Sequence, residues 1–327
     1  MNTEPLEQIT RRIQLIPDRY RVFTDGAEEA ARIHKIPADL LPSLLDLGLP
    51  CRASGTGYRF DRTDLENIAL SLRLRCPRYV AMQWWARSLR TLTADQDIEF
   101  SLRIAAICPY PGHLGQCAFS VSPYLEQAVT PGTLTGPAAG VVTAQVALPT
   151  QTFTFDGAYA ELFDRLADLS LHIFPESVPV ASWPAYQTGL ADCRVAARLL
   201  VQAAAEAGLV ARPASGFFMA SPFPMRHVWV EFDIAGSWQR ADPFLMQSLA
   251  RWGIVDGTQW PIYRSPPGLL WKLRASDAIG TALVHHAGQE SPSSCVIRKG
   301  VMRAASQAGG QEPARPPGQR PVSTLKE

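Results

Sequence analysis

The stretch HVWVEFDIAGSWQRADP, residues 227–243, leaves the backbone few choices. Val228, Val230, Phe232 and Ile234 fall on one side of a period of two, and His227, Trp229 and Glu231 on the other. That alternation is a strand with two distinct faces. Ala235–Gly236 then reads as a two-residue loop, which sets the register of the strand that follows. Ile234 faces Ser237, and counting outward sets Trp229 opposite Asp242. Asp242 shares a face with His227, diagonally across the ladder, where neighbours roughly 7–8 Å apart can join through an imidazole–carboxylate hydrogen bond. A longer loop would shift that register.

The preceding stretch, TGLADCRVAARLLVQAAAEAGLVARPASGFF, adds a third group. From Cys193 to Ala207 the residues are strong helix formers, and Val195, Leu199, Leu200 and Ala203 make one apolar stripe. Asp192 suits the N-cap and Gly208 the position after the last turn. Cys193 therefore opens a buried helix, where unpaired N–H groups and the positive dipole end stabilise a thiolate. A thiol at a helix start, a histidine on a strand and an aspartate placed to orient it are a nucleophile, a base and an orienter. Such a set attacks an acyl carbonyl and passes through an oxyanion to a thioester. The backbone N–H of Cys193 and, six residues upstream, the side chain of Gln187 are candidate oxyanion donors.

These residues resemble the core of the transglutaminase-like superfamily. Its pattern has a Cys opening a helix, a G-(I/L)-x-A-R-x-x-x-G strand, an H-x-W-V-E strand and a W-x-x-x-D-P strand. The matches are Cys193; Gly208, Ala211, Arg212 and Gly216; His227, Trp229, Val230 and Glu231; Trp238, Asp242 and Pro243. The resemblance implies a papain-like α+β fold, acyl chemistry through a thioester and a Cys193–His227–Asp242 triad. The calcium-binding carboxylates of animal transglutaminases have no visible equivalent. Trp229 and Trp238 are candidate pocket walls for substrate, with a place in the core as the alternative.

Residues 26–75 resemble, more weakly, the winged helix of MerR and excisionase-type proteins, through IPADLLPSLLDLGLPCRASGTGYRFDRTDL. Helices are expected at 27–34, from Pro37 to Gly48 and over 64–92, with a glycine-containing hairpin between the last two. Arg52, Arg59 and Arg62 would line the wing, where they contact phosphates, dock a partner or simply face solvent.

Composition limits the rest. Lys and Arg number 31 against 30 Asp and Glu, a net charge of +1, so no overall bias towards nucleic acid or an anionic membrane exists. No apolar run is long enough to span a bilayer, and the polar start lacks the apolar stretch of a secretory signal. The six cysteines are scattered without CxxC pairs, which favours a reducing, cytoplasmic setting. Cys108 and Cys117 around His113, and His285–His286 before Cys295, match no standard metal spacing, so neither metal nor cofactor is expected.

The organisation expected is a helical, winged-helix-like module at 1–95, a strand-containing region with the transglutaminase-like core at 96–285, and a largely disordered tail at 286–327. The function expected is a cysteine acyl-transfer enzyme forming an amide bond, as in bacterial natural-product assembly. The donor would be an acyl thioester, including one on a carrier protein, or a peptide, and the acceptor an amine. A cytoplasmic cysteine peptidase or amidase of the same fold is the alternative. A non-catalytic regulator binding DNA or a peptide is the third.

Overall fold

The computed structural model describes residues 5–55, 57–90, 96–110, 112, 116–220, 224–266, 268–278, 281–286, 288–291 and 293–304. Two four-stranded antiparallel sheets dominate. One runs in the order Ser237–Ala241, Met225–Ile234, Ala211–Phe218, Leu270–Arg274. The other runs Ser293–Ala304, Gln96–Ala106, Val141–Pro149, Thr135–Ala138.

The alternation at 228–234 splits the packing. Val228, Val230 and Phe232 pack against the helix Cys193–Glu206 through Val195, Leu199, Leu200 and Ala203, forming one core. Trp229 turns the other way, into a larger core shared with Phe100, Ile104, Val142 and Val146 of the second sheet. Segregated helices and antiparallel sheets make this an α+β fold.

The amino-terminal module has its own small core, in which Ile13, Ile36, Leu44, Phe60, Leu65 and Ile68 are buried. The hairpin Arg52–Ser54 with Gly57–Asp61 forms, and Phe23–Asp25 adds a third strand. The helix expected over 64–92 is two, Arg62–Ser71 and Pro77–Arg90, because a proline ring at Pro77 cannot continue the ladder from the preceding turn. The three arginines expected to line the wing have partners inside the module, Arg52 and Arg59 from the hairpin and Arg62 from the helix that follows it. Arg62 grips the buried Asp25 at 3.0 and 3.1 Å, Arg59 lies 3.8 Å from Glu29, and Arg52 stacks over Phe23 at 5.1 Å.

One boundary differs from expectation. Ser293–Ala304 is a strand paired along nearly all of Gln96–Ala106, where a disordered tail is expected from 286. Its charged and glycine residues obscure the pattern, but strand 96–106 would otherwise present an unpaired edge. Residues 305–327 and His113 lie outside the described residues. Among the described residues, no helix is long and apolar enough to cross a membrane.

Candidate active site

Ala235 and Gly236 both take positive φ, 53° and 81°, as a two-residue type I′ turn demands. The ladder runs Ile234 with Ser237, Asp233 with Trp238, and on to Val230 with Ala241. One step further places Asp242 at the mouth of the hairpin, diagonal to His227. Asp242 Oδ2 lies 2.5 Å from His227 Nε2, and both side chains are buried, at 5% and 2% exposure. Asp242 Oδ1 meanwhile accepts the Leu245 N–H at 3.2 Å, capping the helix Pro243–Arg251. One carboxylate thus ends the hairpin, starts a helix and fixes the imidazole.

Cys193 approaches His227 from its own helix. Asp192 Oδ1 accepts the N–H groups of Arg194 and Val195, each at 2.9 Å. That cap does not use the N–H of Cys193, which stays available at the positive end of the dipole. His227 Nδ1 is buried with no hydrogen-bond partner, and the nearby Cys193 acts on this ring electrostatically. Burial disfavours the imidazolium most strongly. The charges of Asp242 and Cys193 outweigh it, so the His227 pKa is pushed up to about 10.

Cys193 and His227 open onto a cleft of about 850 Å³, with Asp242 buried behind the imidazole. Its far wall comes from the amino-terminal helices, through Thr63, Glu66, Arg78 and Trp85, with Glu66 and Arg78 ion-paired. His172 and Phe174 line it beside Cys193. His172 is buried, lies 3.3 Å from the Asn67 amide nitrogen, and is held neutral: burial, with Arg12 and Arg21 nearby, pushes its pKa down to about 3.

Other sequence-selected residues lie elsewhere. Gln187 is exposed on the short helix Ala185–Thr188 and does not line the cleft. Trp229 is fully buried in the larger core, because strand alternation turns it inward. Trp238 stands at the turn end of the hairpin, opposite Asp233, with the Arg212 guanidinium 3.7 Å over its ring. Arg212 also pairs at 2.8 Å with the buried Glu231, which Lys272 joins at 2.7 Å. Neither tryptophan lines the cleft. The wall formed by Glu66, Arg78 and Trp85 carries no local signal in the sequence, since only docking of the module brings it there.

Residues 168–243 match the model of the transglutaminase-like superfamily, a span that contains Cys193, His227 and Asp242. No curated protein matches the chain. A solved structure of a candidate cysteine protease from Cytophaga hutchinsonii is similar at 12% identity and a TM-score of 0.30, over 63% of this chain and 88% of that one. The family match and the site together support a cysteine-based enzyme. Residues 168–243 thus carry a match to the transglutaminase-like superfamily within a chain of α+β fold.

Proposed function

We propose that the chain is a cysteine acyltransferase that forms an amide bond through a thioester on Cys193. The observation that carries this reading is the 2.5 Å contact of Asp242 with His227, whose other nitrogen is left to the Cys193 sulfur. His227 Nδ1 takes the thiol proton, and Asp242 holds the tautomer and stabilises the imidazolium. The thiolate attacks the acyl carbonyl, and the oxyanion sits against the Cys193 N–H. As the tetrahedral adduct collapses, the imidazolium protonates the departing thiol or amine, leaving the thioester. An incoming amine gives its proton to His227, displaces the sulfur and leaves as an amide.

A cleft of this size is within the range that encloses small ligands, and its apolar walls suit an acyl chain. An acyl thioester, including one on a carrier protein, is the donor class we favour. Water in place of the amine would make the same intermediate a peptidase or amidase. Neither course needs nucleic acid or a membrane.

Intact-protein mass spectrometry after mixing with candidate thioesters and peptides tests the proposal. The expected result is an acyl adduct on the wild type, absent from Cys193→Ser and discharged as an amide by added amine. Discharge only as free acid, at any amine concentration, would favour hydrolysis. No modification of Cys193 by any electrophile between pH 6 and 9 would remove both.

A further inference from the structure

Two segments far apart in the sequence meet away from the triad. The strands Phe119–Val121 and Leu283–His285 pair antiparallel, with His285 opposite Phe119. Pairing continues one step further: the His286 N–H donates to the Ala118 carbonyl at 2.9 Å, and the Ala118 N–H to His286 Nδ1 at 3.2 Å. Cys117 is thereby carried alongside His285, and Cys108 joins them. A ring nitrogen of His285 and the sulfurs of Cys108 and Cys117 all lie within 4.8 Å of one another. Ligand atoms around a tetrahedral zinc ion lie roughly 3.4–3.8 Å apart, given bonds of about 2.1–2.3 Å. The three groups need only draw together slightly.

The surroundings suit a metal-bound sulfur. The Tyr110 N–H donates to Cys108 Sγ at 3.3 Å, a bond that strengthens as the sulfur gains negative charge. His285 is buried, and its ring is held between Tyr110 and Phe119, at centroid distances of 5.9 and 5.4 Å. The His286 ring lies against it at 3.9 Å. Both cysteines are half-buried, which leaves an ion a way in. None of the three residues lines the active-site cleft.

We propose that Cys108, Cys117 and His285 bind a soft divalent metal ion of the zinc class, tying the segment around Cys108 to the paired strands. Two thiolates and an imidazole favour zinc over magnesium or calcium. Each thiol loses its proton to solvent as its sulfur–metal bond forms, and neutral His285 contributes a ring lone pair. Three protein ligands leave a fourth position for water.

The test uses the full chain carrying Cys193→Ser, reduced, stripped of metal and titrated with Co²⁺ and then Zn²⁺. The expected result is about one Co²⁺ per chain with a thiolate-to-cobalt charge-transfer band, displaced by Zn²⁺ and lost in Cys108→Ser and Cys117→Ser. Because those variants can fail to fold, a second measurement leaves both cysteines in place: Zn²⁺ should slow alkylation of Cys108 and Cys117 at least about tenfold, read by peptide mass spectrometry. Absence of both the band and the protection overturns the proposal. So does a band that survives both substitutions, or a Cys108–Cys117 disulfide that forms in air despite saturating Zn²⁺.

Discussion

Asn67 holds the backbone of Ile173 by both ends: its Oδ1 accepts the Ile173 N–H at 2.8 Å and its Nδ2 donates to the Ile173 carbonyl at 2.9 Å. Asn67 sits on the helix Arg62–Ser71 of the amino-terminal module, and Ile173 follows His172 in the wall beside Cys193. A single side chain therefore fastens one wall of the cleft to the other.

Asn67→Ala should destabilise the protein by about 1 kcal/mol, the cost of leaving half-buried backbone groups without their partner. With the wall loosened, KM should rise more than kcat falls. Thermal unfolding and steady-state kinetics on one preparation check both. Unchanged stability with unchanged KM would mean that the clamp is immaterial.

Asp242→Asn separates orientation from folding. Asparagine caps a helix about as well as aspartate, so the Leu245 N–H keeps its partner, and the stability lost should be that of the buried His227 pair and not of the cap. The amide cannot stabilise the imidazolium and favours the wrong tautomer, so kcat should fall roughly ten-thousand-fold. An Asp242→Asn enzyme of near wild-type kcat would show that His227 needs no orienter.

Two of the buried histidines, His227 and His172, make stability depend on pH from opposite sides. His227 has its pKa raised from about 6.5 to about 10, so its stabilisation is complete below 6.5 and lost as pH climbs through 10. His172 is lowered to about 3, so the unfolded chain takes up the proton first and stability falls as pH drops from 6.5 towards 3. Each limb has a slope of at most about 1.4 kcal/mol per pH unit. Denaturant titrations across pH should show His172→Gln making the acid limb shallower, with the remainder left to groups such as buried His34, and Cys193→Ala shallowing the alkaline one.

Gly216 pairs with His227 on one side and Lys272 on the other, at a step where no side chain fits. A Cβ there would lie 2.0 Å from the Trp271 carbonyl oxygen and 2.9 Å from the Leu273 nitrogen. Gly216→Ala must therefore push the strand Leu270–Arg274 outward and disturb His227 across the sheet. The expected cost is about 1–3 kcal/mol, with slower alkylation of Cys193 as a separate reporter. Full stability and reactivity in that variant would show that the strand yields freely.

How much the sequence discloses follows from distance along the chain. The hairpin register is local: an Ala–Gly turn and a period of two suffice to place Asp242 beside His227. The helix at Cys193 is local as well, through Asp192 and the apolar stripe. Trp229 is misleading, because its place in a familiar motif suggests a pocket wall whereas its parity in the strand sends it into the core. The cleft wall of Glu66, Arg78 and Trp85 depends on module docking, and Asn67 and Ile173 have no shared local pattern to announce them. The strand Ser293–Ala304 is equally hidden, since its partner Gln96–Ala106 lies roughly 190–210 residues earlier in the chain.

That strand also sets an order of events. Ser294 and Cys295 line the cleft, yet they are translated well after Asp242. Closing so long a loop is slow compared with forming the hairpin. A nascent chain can therefore bring thiol, imidazole and carboxylate together while the groove beside them still lacks a side, so the candidate chemistry can precede the surface that would screen what reaches it.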